Sequence, residues 1–484
     1  MIERVPRSSR PEGDPEAASS PSPEARTIVA ISTPPGRGGI GVVRVSGPRA
    51  IAVATGLFNP GRKGPGPAAA PAGLATFGRF VGPDGATIDH GYLVAFRPPG
   101  SFTGEETAEL WSHGSPAVTR LLVEAAVALG ARPATPGEFT LRAFLNGRID
   151  ATQAEAIGDL IEARTAFQVK VAHDQVLGRI SSEVNRLKDR LVEVVARLEA
   201  SVEFSEEAEA GRFLPEGGVG SEVREVRRAI EALAGTYDRG RRVRDGASVA
   251  LVGSPNVGKS SLFNRLLEED RAIVTPIAGT TRDVLEETLD LRGIPVALLD
   301  TAGLHETRDE AGAEAVRRAR GAMTAADLLL LVLDWSRPLG EDDRALLRDL
   351  DAGRSIVALN KVDLACGVGP DEALHLKRSH GALEVSARSG AGIEALRLRL
   401  EDAVSAGTAG SCEEAFITNV RHRDLLAQAA AALGRAERGA RDGVTEEYLL
   451  LDYREALDRL GEITGEVGLD DIYDRIFKNF CIGK

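Results

Sequence analysis

The sequence predicts a protein of α/β plus α class, with a mixed α/β unit first and then a discontinuous helical domain into which a second α/β block is inserted. Three observations carry this prediction. An apolar run at 247–252 precedes Gly253-Ser-Pro-Asn-Val-Gly-Lys-Ser260, the form of a phosphate-binding loop between a strand and a helix. Apolar residues recur every three or four positions at Ile180, Val184, Leu187, Leu191, Val194 and Leu198, and again across 421–438 and 446–460. That spacing is helical and lies on both sides of the loop-bearing block. Residues 27–145 instead alternate short strand-like runs with Gly- and Pro-rich turns.

The elements follow in order. Residues 1–26 are rich in Pro, Ser, Glu and Arg and lack an apolar signal segment, so they read as a disordered extension. Folded sequence begins at Thr27, and 27–145 forms the N-terminal domain. Strands are expected at 28–31, 41–45, 74–80 and 91–96, a loop at 59–73, and a helix at 116–129. Residues 146–245 form the first part of the helical domain, with one long amphipathic helix between 150 and 204 and another helix at 221–240. The block 246–404 holds the phosphate loop. Residues 405–484 resume helical periodicity to the end as the second part of that domain.

Composition bounds the function. At 484 residues the chain exceeds one core. No apolar run approaches the roughly 18 residues that span a bilayer. Three cysteines, Cys366, Cys412 and Cys481, cannot make a disulfide framework, so a reducing, cytoplasmic compartment is expected. A net charge of −13 argues against non-specific coating of nucleic acid. RNA contact therefore needs a local basic patch or a partner's surface.

The phosphate loop carries the most chemistry. Its amides, Asn256, Val257 and Gly258 among them, can wrap phosphates at the start of a helix that continues through Ser261, with Lys259 on the outer phosphates and Ser260 on Mg²⁺. Further segments follow in the order a nucleotide switch requires. Gly279-Thr-Thr-Arg-Asp283 offers Thr280 and Thr281, the latter as a second Mg²⁺ ligand. Asp300-Thr-Ala-Gly303 places Asp300 near the metal and Thr301, Ala302 and Gly303 near the γ-phosphate. Asn360-Lys-Val-Asp363 supplies Asn360, Lys361 and a carboxylate, Asp363, that accepts the N1–H and N2 amine of guanine, a donor pair adenine lacks. Ser386-Ala-Arg388, with Ala387 at its centre, closes over the base edge. Together these segments predict GTP binding. The residue after Gly303 is Leu304, which cannot orient a water as the glutamine of Ras-type switches does. On chemistry alone Asn256 reads either as a turn former or, with carbonyls of the 275–280 loop, as a ligand for a monovalent cation.

The combination resembles the MnmE/TrmE family, the GTPases that modify the wobble uridine of tRNA. The residues that carry the resemblance are Thr33-Pro-Pro-Gly-Arg-Gly-Gly39 with Arg44, Ser101-Phe-Thr-Gly-Glu105, Ala143-Phe-Leu-Asn146, Pro255-Asn256, Ala278-Gly-Thr-Thr-Arg-Asp-Val284 and the terminus Phe480-Cys-Ile-Gly-Lys484. It spans 27–484 and implies a Ras-like GTPase domain activated by K⁺ and by dimerisation. It also implies K⁺ ligands at Asn256, Thr275, Ile277 and Thr280. The family's water-orienting glutamate falls on Gly312, a departure; Glu310 and Glu314 flank it, and Glu310 is the preferred candidate. The resemblance further implies a tetrahydrofolate one-carbon donor bound in a dimerising N-terminal domain by Arg44, Glu109, Arg148 and Lys484, with Arg148 where the family often has lysine. Cys481 is implied to lie at the modification site, with Glu310, Thr281 and Cys481 as catalytic candidates. The expected partners are a second copy, a flavin-dependent MnmG-type protein and tRNA, with no membrane.

Two motifs mislead. Gly36-Arg-Gly-Gly-Ile-Gly41 matches a dinucleotide fingerprint, but 42–45 continues as strand rather than helix. Cys481-Ile-Gly-Lys484 has a prenylation spacing with unsuitable residues at its end. The competing reading is a ribosome-assembly regulatory GTPase without modification chemistry, which leaves 27–145 and the terminus unexplained.

Overall fold

The structure, a computed structural model, describes residues 26–61, 66–203, 219–269, 286–300, 326–351, 353–405, 415–467, 476, 480 and 483. The chain divides into two compact units, 1–150 with 469–484, and 151–468.

The first unit is built on a seven-stranded sheet in the order β3-β4-β5-β6-β2-β1-β7. Its strands are β1 (Ile28–Ile31), β2 (Gly38–Ser46), β3 (Phe58–Pro60), β4 (Ala75–Val81), β5 (Thr87–Phe96), β6 (Thr107–Gly114) and β7 (Arg132–Pro133). All pairings are antiparallel except β1 with β7. Helices α1 (Ala50–Leu57) and α2 (Pro116–Ala128) bury Ala54, Leu57, Leu122 and Ala126 against Val43, Val45, Leu93 and Leu110 of the sheet. Proline at the first position starts α2, where its missing N–H costs nothing. The expected strands and α2 are present. The glycines at 38–39 prove to be strand, and α1, β6 and α3 (Glu138–Leu145) are additional. These three are short, and a segment of eight residues holds too little periodicity to separate helix from strand.

The second unit starts with the stretch expected as one long helix, and here the sequence reading is corrected. The stretch is three helices: α4 (Ala151–Glu162), α5 (Ala166–Val176) and α6 (Arg179–Glu203). Thr165 ends the first by capping the next: its hydroxyl accepts from Gln168 N, and the Gln168 side chain accepts from Thr165 N. This reciprocal pair is a capping box, and Thr165-Ala-Phe-Gln168 carries its sequence signature. Gly178, left-handed at φ 84°, separates α5 from α6.

Helices α6, α7 (Gly220–Ala234), α13 (Val420–Arg441) and α14 (Glu446–Thr464) share one core. Leu187, Leu191 and Ile230 meet Leu426, Leu433, Tyr453 and Leu460 there. One hydrophobic core thus draws residues from both sides of the intervening α/β block. The block is an insertion in a discontinuous helical domain, as the sequence predicts. α14 ends at Thr464, where Gly465 turns left-handed; the helical periodicity expected from there to the terminus falls mostly outside the described residues.

The inserted block holds a six-stranded sheet in the order β13-β12-β11-β8-β10-β9. The strands are β8 (Ala247–Val252), β9 (Glu286–Leu291), β10 (Ile294–Asp300), β11 (Leu328–Asp334), β12 (Ser355–Asn360) and β13 (Leu383–Glu384). Only β9 pairs antiparallel. Every residue of β11 is buried, the near-continuous apolar run expected of a parallel strand covered on both faces. Helices α9 (Lys259–Glu269), α10 (Glu341–Arg348), α11 (Pro370–His380) and α12 (Ile393–Val404) complete the block.

The block is joined to the helical domain by α8 (Tyr237–Asp245), which runs straight into β8. Four arginines on α8 would suggest an RNA-binding helix, yet each is engaged. Arg239 stacks over Phe416, Arg241 pairs with Asp327, Arg242 donates to Val404 O, and Arg244 pairs with Asp159 of α4. The α4–α5 turn docks beside them. Gln168 Nε2 donates to the Val243 and Arg244 carbonyls, and Thr165 Oγ1 donates to Gly293 O at the tip of the β9–β10 hairpin. Gly293 has φ 86°, and a Cβ there would lie 2.3 Å from Phe167 Cβ. A cleft of about 680 Å³ opens at this junction, lined by Asp159, Arg164, Gln175, Arg244, Thr288 and Pro295 among others.

Candidate nucleotide site

In a parallel sheet, ligands collect at the carboxyl ends of the strands where the strand order reverses. Here β8 is central, with β11 on one side and β10 on the other. Their ends align: Asp300 sits in register with Leu251, and Asp334 with Asn360. The phosphate loop, Asp300, the 360–363 segment and the 386–388 segment therefore emerge along one edge.

Within the loop, Val257 is fully buried as an anchor, and Asn256 is left-handed at φ 62°. Gly258 has φ 94°, and a Cβ on it would strike Asn360 Nδ2 at 2.4 Å. Only glycine lets the two segments approach this closely. Asn360 Nδ2 donates to Val257 O at 2.9 Å, and Asn360 Oδ1 accepts from Ala387 N at 3.1 Å. One buried amide thus ties the phosphate loop to the base-closing segment. Lys361 is also left-handed, φ 71°, and its Nζ donates to Asn256 O at 2.7 Å and pairs with Asp334 at 2.6 Å. Two non-glycine residues at positive φ meeting by a hydrogen bond is costly geometry, of the kind found at working sites. Burial acts to raise the Asp334 pKa, but hydrogen bonds from Lys361 and Ser336 outweigh it and hold the carboxyl below its usual range.

The Asp363 carboxylate is exposed, with one oxygen accepting from Ser386 Oγ at 2.7 Å. That bond aims the carboxylate and leaves acceptor sites for a base. Ser386, the least specific residue in sequence terms, is fully buried and organises this end of the site. Arg388 is exposed. Lys259 is buried, its Nζ within 2.9–3.0 Å of the Gly253 and Ser254 carbonyls, so its ammonium lies at the loop itself. Ser260 and Ser261 are exposed at the start of α9. The glycine cradle, the buried lysine and the N-terminus of an 11-residue helix suit a polyphosphate.

The remaining switch candidates, Thr275, Ile277, Thr280, Thr281, Thr301, Ala302, Gly303 and Glu310, lie outside the described residues, as do Gly312 and Glu314. Asp300 is placed as the last residue of β10.

In the first unit, Arg44 on β2 and Glu109 on β6 are register partners. The sequence names them separately, but the structure pairs them. Arg44 Nε donates to Glu109 Oε1 at 3.0 Å, and Trp111 Nε1 donates to Oε2 at 3.0 Å. Phe139 lies under the Arg44 guanidinium at 5.7 Å. Arg148 is exposed, its stem against Gly104 of the Ser101–Glu105 turn, and Asn146 Nδ2 donates to Thr103 O. Ser32 Oγ donates to Gly483 O, which brings the carboxyl-terminal segment to the end of β1. Cys481 and Lys484 lie outside the described residues. β2 also settles the dinucleotide decoy, since 42–45 is strand.

Sequence reasoning missed Trp111, Asp334, Arg337 and Asp343. None belongs to a motif, and only the sheet register and loop packing bring them to these sites.

A family model described as the GTP-binding protein TrmE N-terminus matches residues 27–148, and one described as the MnmE helical domain matches 152–481. A protein of Koribacter versatilis named "tRNA modification GTPase MnmE" is 43% identical over 95% of this chain and 99% of its own length. Proteins of the same name from Roseiflexus sp. and Pediococcus pentosaceus are 42% and 39% identical, over 95% and 96% of this chain and 99% of their own lengths. The chain belongs to the MnmE family of tRNA modification GTPases.

Proposed function

We propose that this protein is a GTP hydrolase that acts in modification of the tRNA wobble uridine, adding a carboxymethylaminomethyl or aminomethyl group at C5 with a flavin-dependent MnmG-type partner. The observation that carries the nucleotide half is the convergence of the loop, Asn360, Lys361 and the Ser386-held Asp363 on one sheet edge. Asp363 takes the guanine edge, Lys259 the outer phosphates, and Ser260 with Thr281 would hold Mg²⁺. Asn256 would offer K⁺ a side-chain oxygen, joined by Thr275, Ile277 and Thr280. Its backbone fits that role, because a left-handed Asn held by Lys361 is fixed in orientation before any cation arrives.

GTP hydrolysis here drives a conformational cycle rather than the carbon chemistry. Glu310 is the proposed water-orienting residue and Cys481 lies at the modification site. Arg44, Glu109, Arg148 and Lys484 would hold a tetrahydrofolate one-carbon donor in the first unit. Glu109 Oε1 faces both Arg44 Nε and Nη2, at 3.0 and 2.9 Å, while Oε2 accepts from Trp111 Nε1 and has capacity for a second bond, so the Arg44–Glu109 pair can present a fixed carboxylate to a pterin edge. The protein works as a homodimer in the cytoplasm. Among the described residues no helix is long and apolar enough to cross a membrane.

GTP turnover in K⁺ and in Na⁺, on wild type and Asn256→Ala, tests the nucleotide half. Wild type should hydrolyse about 10-fold faster or more in K⁺, as for removal of a transition-state charge, and the variant should lose the difference. Equal wild-type rates in both salts would refute the cation role. Deleting the gene should remove the C5 group from wobble uridine by mass spectrometry; unchanged nucleosides would favour a ribosome-assembly role.

A further inference from the structure

We propose that Asp343, a residue outside every nucleotide motif, is a positioning residue for the phosphate loop and acts through the Ser254 hydroxyl. Ser254 is the second residue of the loop, and its Oγ donates to Asp343 Oδ1 at 2.5 Å. That length is at the short end for an O–H···O bond. Asp343 is 1% exposed and sits in the first turn of α10. Its other oxygen accepts from Gly340 N at 3.0 Å and faces Arg337 Nη2 at 3.2 Å. A carboxylate this deeply buried is sustained only by such partners.

Arg337 extends the connection. Its Nε lies 3.9 Å from Asp334 Oδ2, the oxygen that Lys361 Nζ contacts at 2.6 Å, and Lys361 returns to the loop at Asn256 O. The contacts form a closed ring: Ser254, Asp343, Arg337, Asp334, Lys361, Asn256, and back through Pro255. The loop is therefore gripped on both sides of Pro255, and the ring sets the span across which Asn256 must adopt its left-handed backbone. Asn360 and Lys361 account for the grip on one side. Asp343 supplies the other, and through Ser254 it resists widening of the loop when a nucleotide leaves or enters.

This inference rests on the guanine-nucleotide reading above, and its test separates the two. Dissociation of a fluorescent guanosine diphosphate from the full-length protein is followed by stopped-flow displacement. Ser254→Ala removes the hydroxyl and leaves the Asp343–Gly340 cap intact. It should speed dissociation by about 3- to 10-fold, the effect of one charge-assisted hydrogen bond, while the nucleotide-free protein stays folded with a thermal midpoint lowered by the buried Asp343 oxygen that loses its donor. Ser254→Thr, which keeps a hydroxyl, should restore the slow rate. Adding Ser254→Ala to Asp343→Ala should accelerate dissociation no further, because Asp343→Ala has already removed the bond to Ser254. A wild-type rate for Ser254→Ala, or effects that multiply in the double variant, would overturn the inference. Failure of wild type to bind the probe at all would overturn the guanine-nucleotide reading.

Discussion

Asp159 and Glu155 lie one turn apart on α4, and their surroundings drive them in opposite directions. Burial dominates at Asp159 and raises its pKa from 3.8 to about 6, although Arg244 pulls the other way. Glu155 is buried too, but His422 and Arg421 overcome the burial and hold it at about 2. The consequences for stability have opposite signs. Asp159 favours the folded state below 3.8, and that contribution is lost as pH rises through about 6. Glu155 contributes above 4.5, and loses its contribution as pH falls through about 2. Asp159→Asn should therefore gain on wild type as pH rises from about 4 to about 7, read as the difference in urea midpoints. Parallel midpoints across that range would show that the Asp159 carboxyl is not burdened by burial. At this scale the motif residues were legible in advance, since Lys259, Asn360 and Asp363 are fixed by phosphate and base chemistry. Asp343 and Gln168 were not equally so. Gln168 had a readable signature in Thr165-x-x-Gln168, whereas the partner of Asp343 is 89 positions away, and no local pattern announces such a contact.

Among the elements, the α4–α5 turn bears most on how the two halves of the second unit act together. Its capping box holds three segments at once: its own turn, the last carbonyls of α8, and the β9–β10 hairpin tip. The sequence reading ran α4, α5 and α6 together because helical periodicity survives a short break. Thr165 and Gly178 were the signals that distinguish them. Gly293→Ala would put a Cβ against Phe167 and force a left-handed alanine. A loss of about 1–3 kcal/mol in unfolding free energy is expected, measured by urea denaturation. No loss would mean the contact between turn and hairpin is slack.

For the whole molecule, the split helical core decides how the insertion is tolerated. Leu433 of α13 is fully buried among residues from α6, α7 and α14, so the core is completed only when the chain returns from the inserted block. Leu433→Ala should cost about 2–5 kcal/mol, seen as a lowered thermal midpoint. A loss below about 1 kcal/mol would show that the site collapses to fill the gap. The fold class was legible because its periodicities are long and its loop motif is specific. The net charge of −13 reads differently once α8 is seen. Its arginines stitch the block to the helical domain, so a local basic run in the sequence was a structural seam.

The grip on Gly293 has a mechanical reading. Two strands paired over six positions are stiff along their length, about 20 Å at 3.4 Å per residue. The pair is clamped at its turn by the α4–α5 turn, and β10 is hydrogen-bonded on its other side to β8, the strand that leads into the phosphate loop. The hairpin is therefore a brace between the α4–α5 turn and the strand that feeds the phosphate loop.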